Sequence, residues 1–530
     1  MLLNKHTMTS PHFNAADFGA IGDGISKDTI AIQNAIDKCS GTGGGKVLLP
    51  AGNYLSGTLY LKSNVELHLA AGARILGSPD VEDYNAEDIF PENITFSSEN
   101  VTARHLIIAY RQENISITGQ GIIDGQSSQF FEPLPENTTA SYRHKSGNFP
   151  IKDWRPGQMI FFCRCKNVAV RDVRLLNSPY WTFFLHGCED IKIRGLLIEN
   201  PPATANGDGI DIDCCKNVTV SDCTIRSGDD CITVRGNPRK LGEGDWICEN
   251  VAITNCILST PCNAIRIGVG DGHIRKVLFN NIIIPEASRG ISLVSLYRKT
   301  ENSKHGTRIE DIHFSHFFID ADVPIAAGTG HQSEHPAAID NIIFRDFKII
   351  AHAGAQLAGT SETPIGKVLL QNFDWLVRGG SDNTSFQNEL PEPLSHHGYR
   401  GRDGQPSLPC ALLGIYITNL QIQNFQLHWE EPSAAWREGI LLRHVDEMDL
   451  FNLHLRQPQQ DKGSAIYCHE VQNITLRNCR AAKETSTFLS IENTEKSTFI
   501  RYGGNDFSEA KTPLSQSGQL VRLTALQDLK

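Results

Sequence analysis

The sequence predicts an all-β fold, a single right-handed parallel β-helix, from a short strand pattern that recurs along the chain. In each copy an Asn or Asp precedes an alternating apolar triplet, and such period-two alternation is typical of half-buried strands. Four of the eight spacings between neighbouring copies are 23 to 33 residues, about one turn of a solenoid, and the other four are 53 to 78 residues. The Asn or Asp suits the turn before a strand, because it tolerates left-handed backbone. The copies begin at Asn114, Asn167, Asp190, Asn217, Asn250, Asp311, Asn341, Asn419 and Asn473.

The two ends of this coil need covers, because an open solenoid end exposes apolar core and unpaired strand edges. Residues 28–38 have the apolar spacing of an amphipathic helix, which we expect to cap the N-terminal end. Gly43-Gly44-Gly45 is expected to end that helix, and Lys46 to start the first strand. After Arg480 the repeat fades, so the tail is expected to pair with, or fold over, the C-terminal end.

The domain organisation follows from the same repeat. We predict one β-helix domain over residues 13–530, preceded by an N-terminal extension over residues 1–12. Residues 125–157 and 350–410 are rich in turn-forming residues and are predicted to be long loops beside the groove of the coil. The second of them is expected to hold one further turn with a strand at residues 372–377.

The cysteines predict core packing. Of the 14 in the chain, Cys163, Cys188 and Cys214 recur 25 and 26 residues apart, close to the repeat length. Because thiols are among the most buried side chains, these three are predicted to form an inward-facing ladder on stacked turns. A metal site is not expected, since Cys163 and Cys165 lack the two-residue spacing of zinc ligands.

The charge balance bounds the class of partner. The chain carries a formal net charge of −11, with 49 basic and 60 acidic residues and no basic stripe, so nucleic-acid binding is not expected. The first ten residues lack the apolar core of a secretory signal, and no later segment is apolar and long enough to span a bilayer. We therefore expect a cytoplasmic protein without a membrane partner. The sequence gives no indication of its oligomeric state.

Two carboxylate motifs in the middle of the chain predict its chemistry. Asn206-Gly207-Asp208-Gly209-Ile210-Asp211 is followed by Gly228-Asp229-Asp230, and 21 residues separate Asp208 from Asp229. This offset places the motifs on successive turns. Clustered carboxylates oppose each other's ionisation, so one can hold a proton while another stays charged, as the acid and base of a glycosidase must. A polar turn ladder or a calcium site is the alternative interpretation.

These motifs resemble those of glycoside hydrolase family 28, the polygalacturonase-like enzymes of the pectin-lyase-like superfamily. The resemblance extends over roughly residues 13–300 and is densest from Asn177 to Cys231. It implies inverting hydrolysis of an oligosaccharide or polysaccharide without a cofactor or metal. Asp229 would be the general acid, and Asp208 and Asp230 would hold the attacking water. Asn206 and Asp211 would hold the turn or orient the acids.

Two departures from the family pattern bear on the substrate. The family's Gly-His-Gly is replaced by Pro261-Cys262-Asn263, so Asn263 or Arg266 would have to supply hydrogen bonds there. The family's Arg-Ile-Lys is replaced by Ser292-Leu293-Val294, which removes two cations that would hold a uronate carboxylate. We therefore expect a plant-type or pectin-derived oligosaccharide other than plain polygalacturonan.

Three further residues are candidates for substrate contact. Arg235 lies five residues after Asp230 and could bind an anionic group, although a solvated surface cation is an equal interpretation. Tyr180 and Trp181 precede Asp208 by about one turn and could stack on a sugar ring, or could pack in the core.

Two other functions are compatible with such a coil. One is a polysaccharide lyase or a fructan transglycosylase on the same fold, and the other is a carbohydrate-binding β-helix without catalysis. Ultraviolet absorbance from a new double bond, abolished by a chelator, would favour the lyase. Binding that survives the loss of Asp208, Asp229 and Asp230 together, with no product formed by the wild type, would favour the binding protein.

Overall fold

The computed structural model describes residues 11–87, 90, 101–133, 151–242, 244–295, 306–330, 338–379, 407–495, 497–518 and 521–526. Two compact units divide the chain: Met1–Ile232 with Lys240–Asp245, and Thr233–Arg239 with Trp246–Lys530. The fold is the predicted right-handed parallel β-helix, as crossovers between parallel strands are almost always right-handed. No helix in the described part of the chain combines the length and apolarity that crossing a membrane requires.

The first unit begins with the predicted helix. Helix α1 (Thr29–Gly41) follows Asp28, and its buried side chains are Ile32, Ala35, Ile36 and Cys39. Its apolar face packs against the first strands, which confirms the capping helix. The strands within this unit are β1 (His12–Asn14), β2 (Asp23–Lys27), β3 (Gly45–Leu49), β4 (Gly52–Ser56), β5 (Leu59–Tyr60), β6 (Val65–Leu69), β7 (Ala73–Gly77), β8 (Ile107–Tyr110), β9 (Glu113–Gly119), β10 (Ile122–Asp124), β11 (Ile160–Cys163), β12 (Lys166–Arg171), β13 (Arg174–Leu176), β14 (Phe183–His186), β15 (Glu189–Arg194), β16 (Leu197–Glu199), β17 (Ile210–Asp213), β18 (Lys216–Ser221) and β19 (Thr224–Arg226). Short 3-10 helices lie at Ala15–Phe18, Val81–Asp83 and Ser127–Gln129.

Each full turn of this unit contributes three strands, and every strand pairs in parallel with its counterpart on the next turn. β8, β11, β14 and β17 form one sheet, which carries Asp211. β9, β12, β15 and β18 form a second, in which Ile115, Val168, Ile191 and Val218 are in register. β10, β13, β16 and β19 form the third. The alternating triplets are therefore strands whose apolar side chains face the core, as predicted.

The second unit continues the same pairing with longer strands, in which several short strands of a turn run together. Its core holds stacked phenylalanines, among them Phe317, Phe347, Phe373 and Phe425. The strands are β20 (Ile232–Gly236), whose first residue belongs to the first unit, β21 (Cys248–Gly270), β22 (His273–Val294), β23 (Arg308–Gly328), β24 (Ile339–Ala351), β25 (Ala355–Ala358), β26 (Ile365–Arg378), β27 (Cys410–Glu430), β28 (Glu438–Leu455), β29 (Ser464–His469), β30 (Asn473–Arg477), β31 (Arg480–Ala481), β32 (Thr485–Asn493), β33 (Thr498–Gly503), β34 (Ala510–Gly518) and β35 (Val521–Ala525). One further 3-10 helix lies at Pro238–Leu241.

The polar residues before the triplets take the conformation expected of them. Seven of the nine have positive φ angles between 51° and 59°. Their side chains also bond between turns: Asn167 Nδ2 donates to Asn114 Oδ1 at 2.8 Å, and Asn217 Nδ2 donates to Asp190 Oδ1 at 3.0 Å. The same residue thus fixes the turn and joins it to the next one.

The predictions about the ends of the coil were partly wrong. β1 and β2 precede the strand that was expected to be the first, and β1 pairs with β3. The expected fading of the repeat after Arg480 was wrong as well, because the coil continues through β32 to β35. The expected pairing of the tail with the C-terminal end is confirmed, since β32 pairs with β29 and β34, and β33 pairs with β30 and β35, in parallel. These last strands are largely exposed, so they lack the apolar alternation by which the other strands were found. The prediction of one domain stays a prediction.

The two predicted loops are only partly described. Within residues 125–157, residues 134–150 lie outside the described part of the chain. Within residues 350–410, residues 380–406 do so, while β26 confirms the strand predicted at residues 372–377.

The cysteine ladder exists but runs through Cys165, Cys188 and Cys215, so it shares only Cys188 with the predicted set. Cys165 N donates to Cys188 Sγ at 3.4 Å, and Cys188 also lies next to Cys215. Cys163 is instead in register with His186, on the sheet that carries Asp211. The sequence spacing found the right turns but misjudged the position by one or two residues. All three predicted cysteines are nevertheless buried.

Candidate functional site

The two carboxylate motifs are joined directly through their backbones. Gly209 N donates to the carbonyl oxygen of Asp230 at 2.8 Å, and Gly228 N donates to that of Gly207 at 3.0 Å. In the neighbouring pair of parallel strands, Phe183 N donates to Gly209 O while Phe183 is in register with the following residue, Ile210. By the same rule, Gly209 is in register with the residue that follows Asp230. Asp208 therefore stands beside Asp230, one strand spacing of about 4.8 Å apart.

The turn that carries Asp208 is held by a buried amide. Asn200 Nδ2 donates to Gly207 O at 3.0 Å and to Thr182 Oγ1 at 2.7 Å. Its Oδ1 accepts from Ser178 N at 2.8 Å, so one side chain connects the turns before β14 and β17. Asn206 has a φ of 55°, the left-handed region that Asn tolerates, and lets the chain reverse before Asp208.

Glycines allow the motifs to approach this closely. A Cβ atom on Gly228 would lie 2.3 Å from Thr204 O, and one on Gly209 would lie 2.4 Å from Cys231 O. Both neighbours are backbone atoms that cannot move aside independently. The glycines of the motifs are thus required by the contact between turns and not by turn geometry alone.

The carboxylates of the motifs are withdrawn from solvent. Asp208 is 4% exposed, Asp230 2% and Asp229 9%. Asp211 is fully buried on β17, in register with Phe184 on β14. These four carboxylates lie on two motifs that are joined by backbone pairing, the kind of clustering that acid and base catalysis uses.

Tyr180 and Trp181 lie on the turn that precedes Asp208. Their rings stack at 5.1 Å with an interplanar angle of 14°. The guanidinium of Arg155 lies 4.8 Å from the Tyr180 ring, which is only 1% exposed. Packing, the second of the two interpretations of Tyr180, therefore describes it in this structure. Trp181 is 6% exposed and packs edge-on against Phe184.

The other three candidate substrate contacts belong to the second unit. Arg235 is buried on β20, and Asn263 and Arg266 lie on β21. Arg266 is in register with Ser292 on β22, the position at which the family pattern has a cation. Asn263 is in register with Arg289, whose Nη1 lies 4.0 Å from Cys262 Sγ.

Sequence reasoning missed three residues at these positions. Asn200, Arg155 and Arg289 stand outside both carboxylate motifs, and nothing in their spacing marks them. Arg289 immediately precedes the Gly290-Ile291-Ser292 segment, so a search one residue further would have found it. The roles of Asn200 and Arg155 lie in hydrogen bonds to residues 7 to 51 positions away in the chain, which the sequence does not display.

The segment that contains both carboxylate motifs matches a known protein family. The model of the family described as glycosyl hydrolases family 28 matches residues 39–248, which include both motifs. Over these residues the chain carries the sequence pattern of glycosyl hydrolases family 28. A probable polygalacturonase of Vitis vinifera is 29% identical over 287 residues, which are 52% of this chain and 55% of that protein. An exo-poly-alpha-D-galacturonosidase of Dickeya chrysanthemi is 26% identical over 303 residues, 51% of this chain and 50% of that protein. The chain thus spans about half the length of these two relatives.

Solved structures show the same fold for this chain. A family 28 exopolygalacturonase of Yersinia enterocolitica superposes with a TM-score of 0.58 at 19% identity, over 85% of this chain and 80% of that one. A polygalacturonase from Erwinia carotovora ssp. carotovora gives 0.51 at 20% identity, over 69% of this chain and 93% of that one. At these identities the likeness shows the fold alone.

Proposed function

We propose that the protein is a glycoside hydrolase that cleaves an oligosaccharide with inversion. The observation that carries this proposal is the bond from Gly209 N to Asp230 O, which places Asp208 beside Asp230 on successive turns. Asp229 would protonate the leaving oxygen, while Asp208 and Asp230 hold the attacking water as the base. The match of residues 39–248 to the model of glycosyl hydrolases family 28 supports the same assignment.

The burial of these carboxylates supports their proposed roles. A general acid must keep its proton at the working pH, and burial beside like charges favours the protonated form. When one carboxyl group of a cluster holds the proton, a second carboxylate one turn away can stay ionised and act as the base. Asn206 and Asp211 are proposed to shape and orient the site, since they lie within the same short motif.

For the substrate, we propose a pectin-derived oligosaccharide other than plain polygalacturonan. Several relatives are named polygalacturonases, which supports a pectic sugar. Ser292 and Val294 carry no charge, whereas Arg266 is in register with Ser292 on the neighbouring strand β21. We propose that Arg235, Asn263 and Arg266 bind the sugar, with Arg266 able to hold an anionic group in a way that differs from the family's Arg-Ile-Lys pair.

A product assay tests the function and the substrate together. The protein is incubated with a panel of pectic, fructan and neutral plant oligosaccharides, and the products are read by mass. A gain of one water per cut supports hydrolysis, and the panel member that is cut identifies the sugar. An unsaturated product that absorbs ultraviolet light would show a lyase instead. Binding without any product would show a carbohydrate-binding protein.

The anomeric form of the first product tests inversion. Proton NMR during the first minutes of cleavage separates the two anomers before they interconvert. We expect the configuration opposite to that of the cleaved bond. Retention would contradict the proposed roles of Asp208 and Asp230, because it requires a covalent intermediate on one carboxylate.

A further inference from the structure

Arg155 contacts two successive turns of the first unit where each leads into the candidate site. Its Nη1 donates to the carbonyl oxygens of Pro179 at 3.1 Å and Ala205 at 2.8 Å, and its Nη2 donates to Asn206 Oδ1 at 3.0 Å. We propose that Arg155 is a positioning residue that fixes Asp208 in its catalytic place. This inference rests on the function proposed above.

The surroundings of the guanidinium show that it is built into the unit. Arg155 is fully buried, and its guanidinium lies over the rings of Tyr180 at 4.8 Å and Phe131 at 5.6 Å. Taking a cation out of water is unfavourable, so these rings and the oxygen acceptors must compensate. A planar fork with several donors can bond two turns at once, which a lysine ammonium cannot do in the same geometry.

The acceptors lie close to the catalytic aspartate along the chain. Ala205 and Asn206 are three and two residues before Asp208, and Asn206 is in the left-handed region. On the other side of the same turn, Gly207 O accepts from Asn200 Nδ2 and from Gly228 N. Arg155 and Asn200 thus hold opposite ends of the short segment that leads to Asp208. Loss of Arg155 would remove the three bonds that hold the Ala205–Asn206 end of this segment to Arg155 and to the preceding turn.

The bond to Pro179 O extends this effect to the preceding turn. That turn carries Tyr180 and Trp181, and Thr182 N then donates to Asp208 O at 2.9 Å. Arg155 therefore joins the two turns that flank Asp208, in addition to the backbone pairing of β14 with β17.

The test uses the full chain and the oligosaccharide that the wild type cleaves. Arg155→Lys keeps the charge but loses the fork, and we expect kcat to fall about 10²-fold with KM nearly unchanged, as a displacement near 1 Å would cause. Arg155→Ala should be at least as slow, and guanidinium chloride at low millimolar concentration should restore part of its kcat. Asn206→Ala removes one acceptor only and should have a smaller effect, not additive with Arg155→Lys.

A matched control separates positioning from stability. Val170→Ala deletes two buried methyl groups of β12 and lowers the melting temperature without changing the turn that carries Asp208. Its kcat should stay near the wild-type value. If the Arg155 variants lose no more kcat than Val170→Ala, or if Asn206→Ala and added guanidinium have no effect, the inference is overturned. An active Asp229→Asn variant overturns the proposed function and this inference together, whereas normal Arg155 variants beside an inactive Asp229→Asn overturn this inference alone.

Discussion

Gly209 N donates a hydrogen bond of 2.8 Å to the carbonyl oxygen of Asp230, and this bond joins the two carboxylate motifs of the chain. It belongs to the regular ladder of the parallel coil. Asp208 and Asp230, which we propose to be catalytic, are therefore placed by backbone pairing, while the turns around them are held by buried side chains. The stability of these turns and the activity should respond to the same substitutions.

Replacing Gly228 with alanine should disrupt the contact between the motifs. The new Cβ atom would lie 2.3 Å from Thr204 O and 2.9 Å from Pro201 O, so the backbone must shift. We expect a loss of about 1–3 kcal/mol in the free energy of unfolding and most of the activity. Gly41→Ala is the control, because its Cβ atom would meet nothing within 4 Å and should leave both nearly unchanged. A fully active, stable Gly228→Ala variant would contradict the stacked arrangement.

Asn200→Asp should destabilise the turn before Asp208. The carboxylate cannot donate to Gly207 O or Thr182 Oγ1, and it adds a buried negative charge. We expect a loss of about 1–3 kcal/mol in the free energy of unfolding, measured by urea denaturation. The same change at the exposed Asn167 should cost less than about 1 kcal/mol. Equal losses in both variants would argue against a special role for Asn200.

His105 should make the protein less stable in mild acid. Burial lowers the pKa of its ring from 6.5 to about 4, although its hydrogen bond with Gln158 O opposes the shift. Below pH 6.5 the unfolded chain binds the proton first, so stability falls as the pH drops from 6.5 towards 4 and is unaffected above 6.5. The total effect is on the order of 3 kcal/mol. Melting temperatures between pH 7 and pH 4.5 should fall less steeply for His105→Phe than for the wild type, and identical slopes would contradict this assignment.

The thiols should be almost unreactive in the native protein. Thirteen of the 14 cysteines are buried and Cys262 is half-buried. Burial raises the pKa of Cys188 well above its ordinary value, so little of the reactive thiolate forms. A thiol reagent at pH 7.5 should modify at most one cysteine rapidly, and Cys262→Ser should remove that reaction. Rapid modification of several thiols would mean that the core opens readily.

The sequence predicted the coil because its turns repeat a local pattern. Alternating triplets and left-handed Asn or Asp residues are fixed by neighbours in the chain, so Asn114 or Asn217 could be placed without a structure. Arg155 and Asn200 could not, since their acceptors lie on other turns. The cysteine ladder is intermediate between these local and long-range features. Its spacing identified the turns, but the position of each cysteine within a turn depends on bends that the repeat length does not encode.

The most direct test measures turnover by Asp208→Asn, Asp229→Asn and Asp230→Asn on the substrate that the wild type cleaves. Each change keeps the shape of the side chain and removes its acid or base function. The account predicts that each variant is slower by roughly 10² to 10⁴-fold, while Asp222→Asn, an exposed turn residue with a φ of 58°, keeps normal turnover. Near-normal turnover by Asp229→Asn would contradict the account.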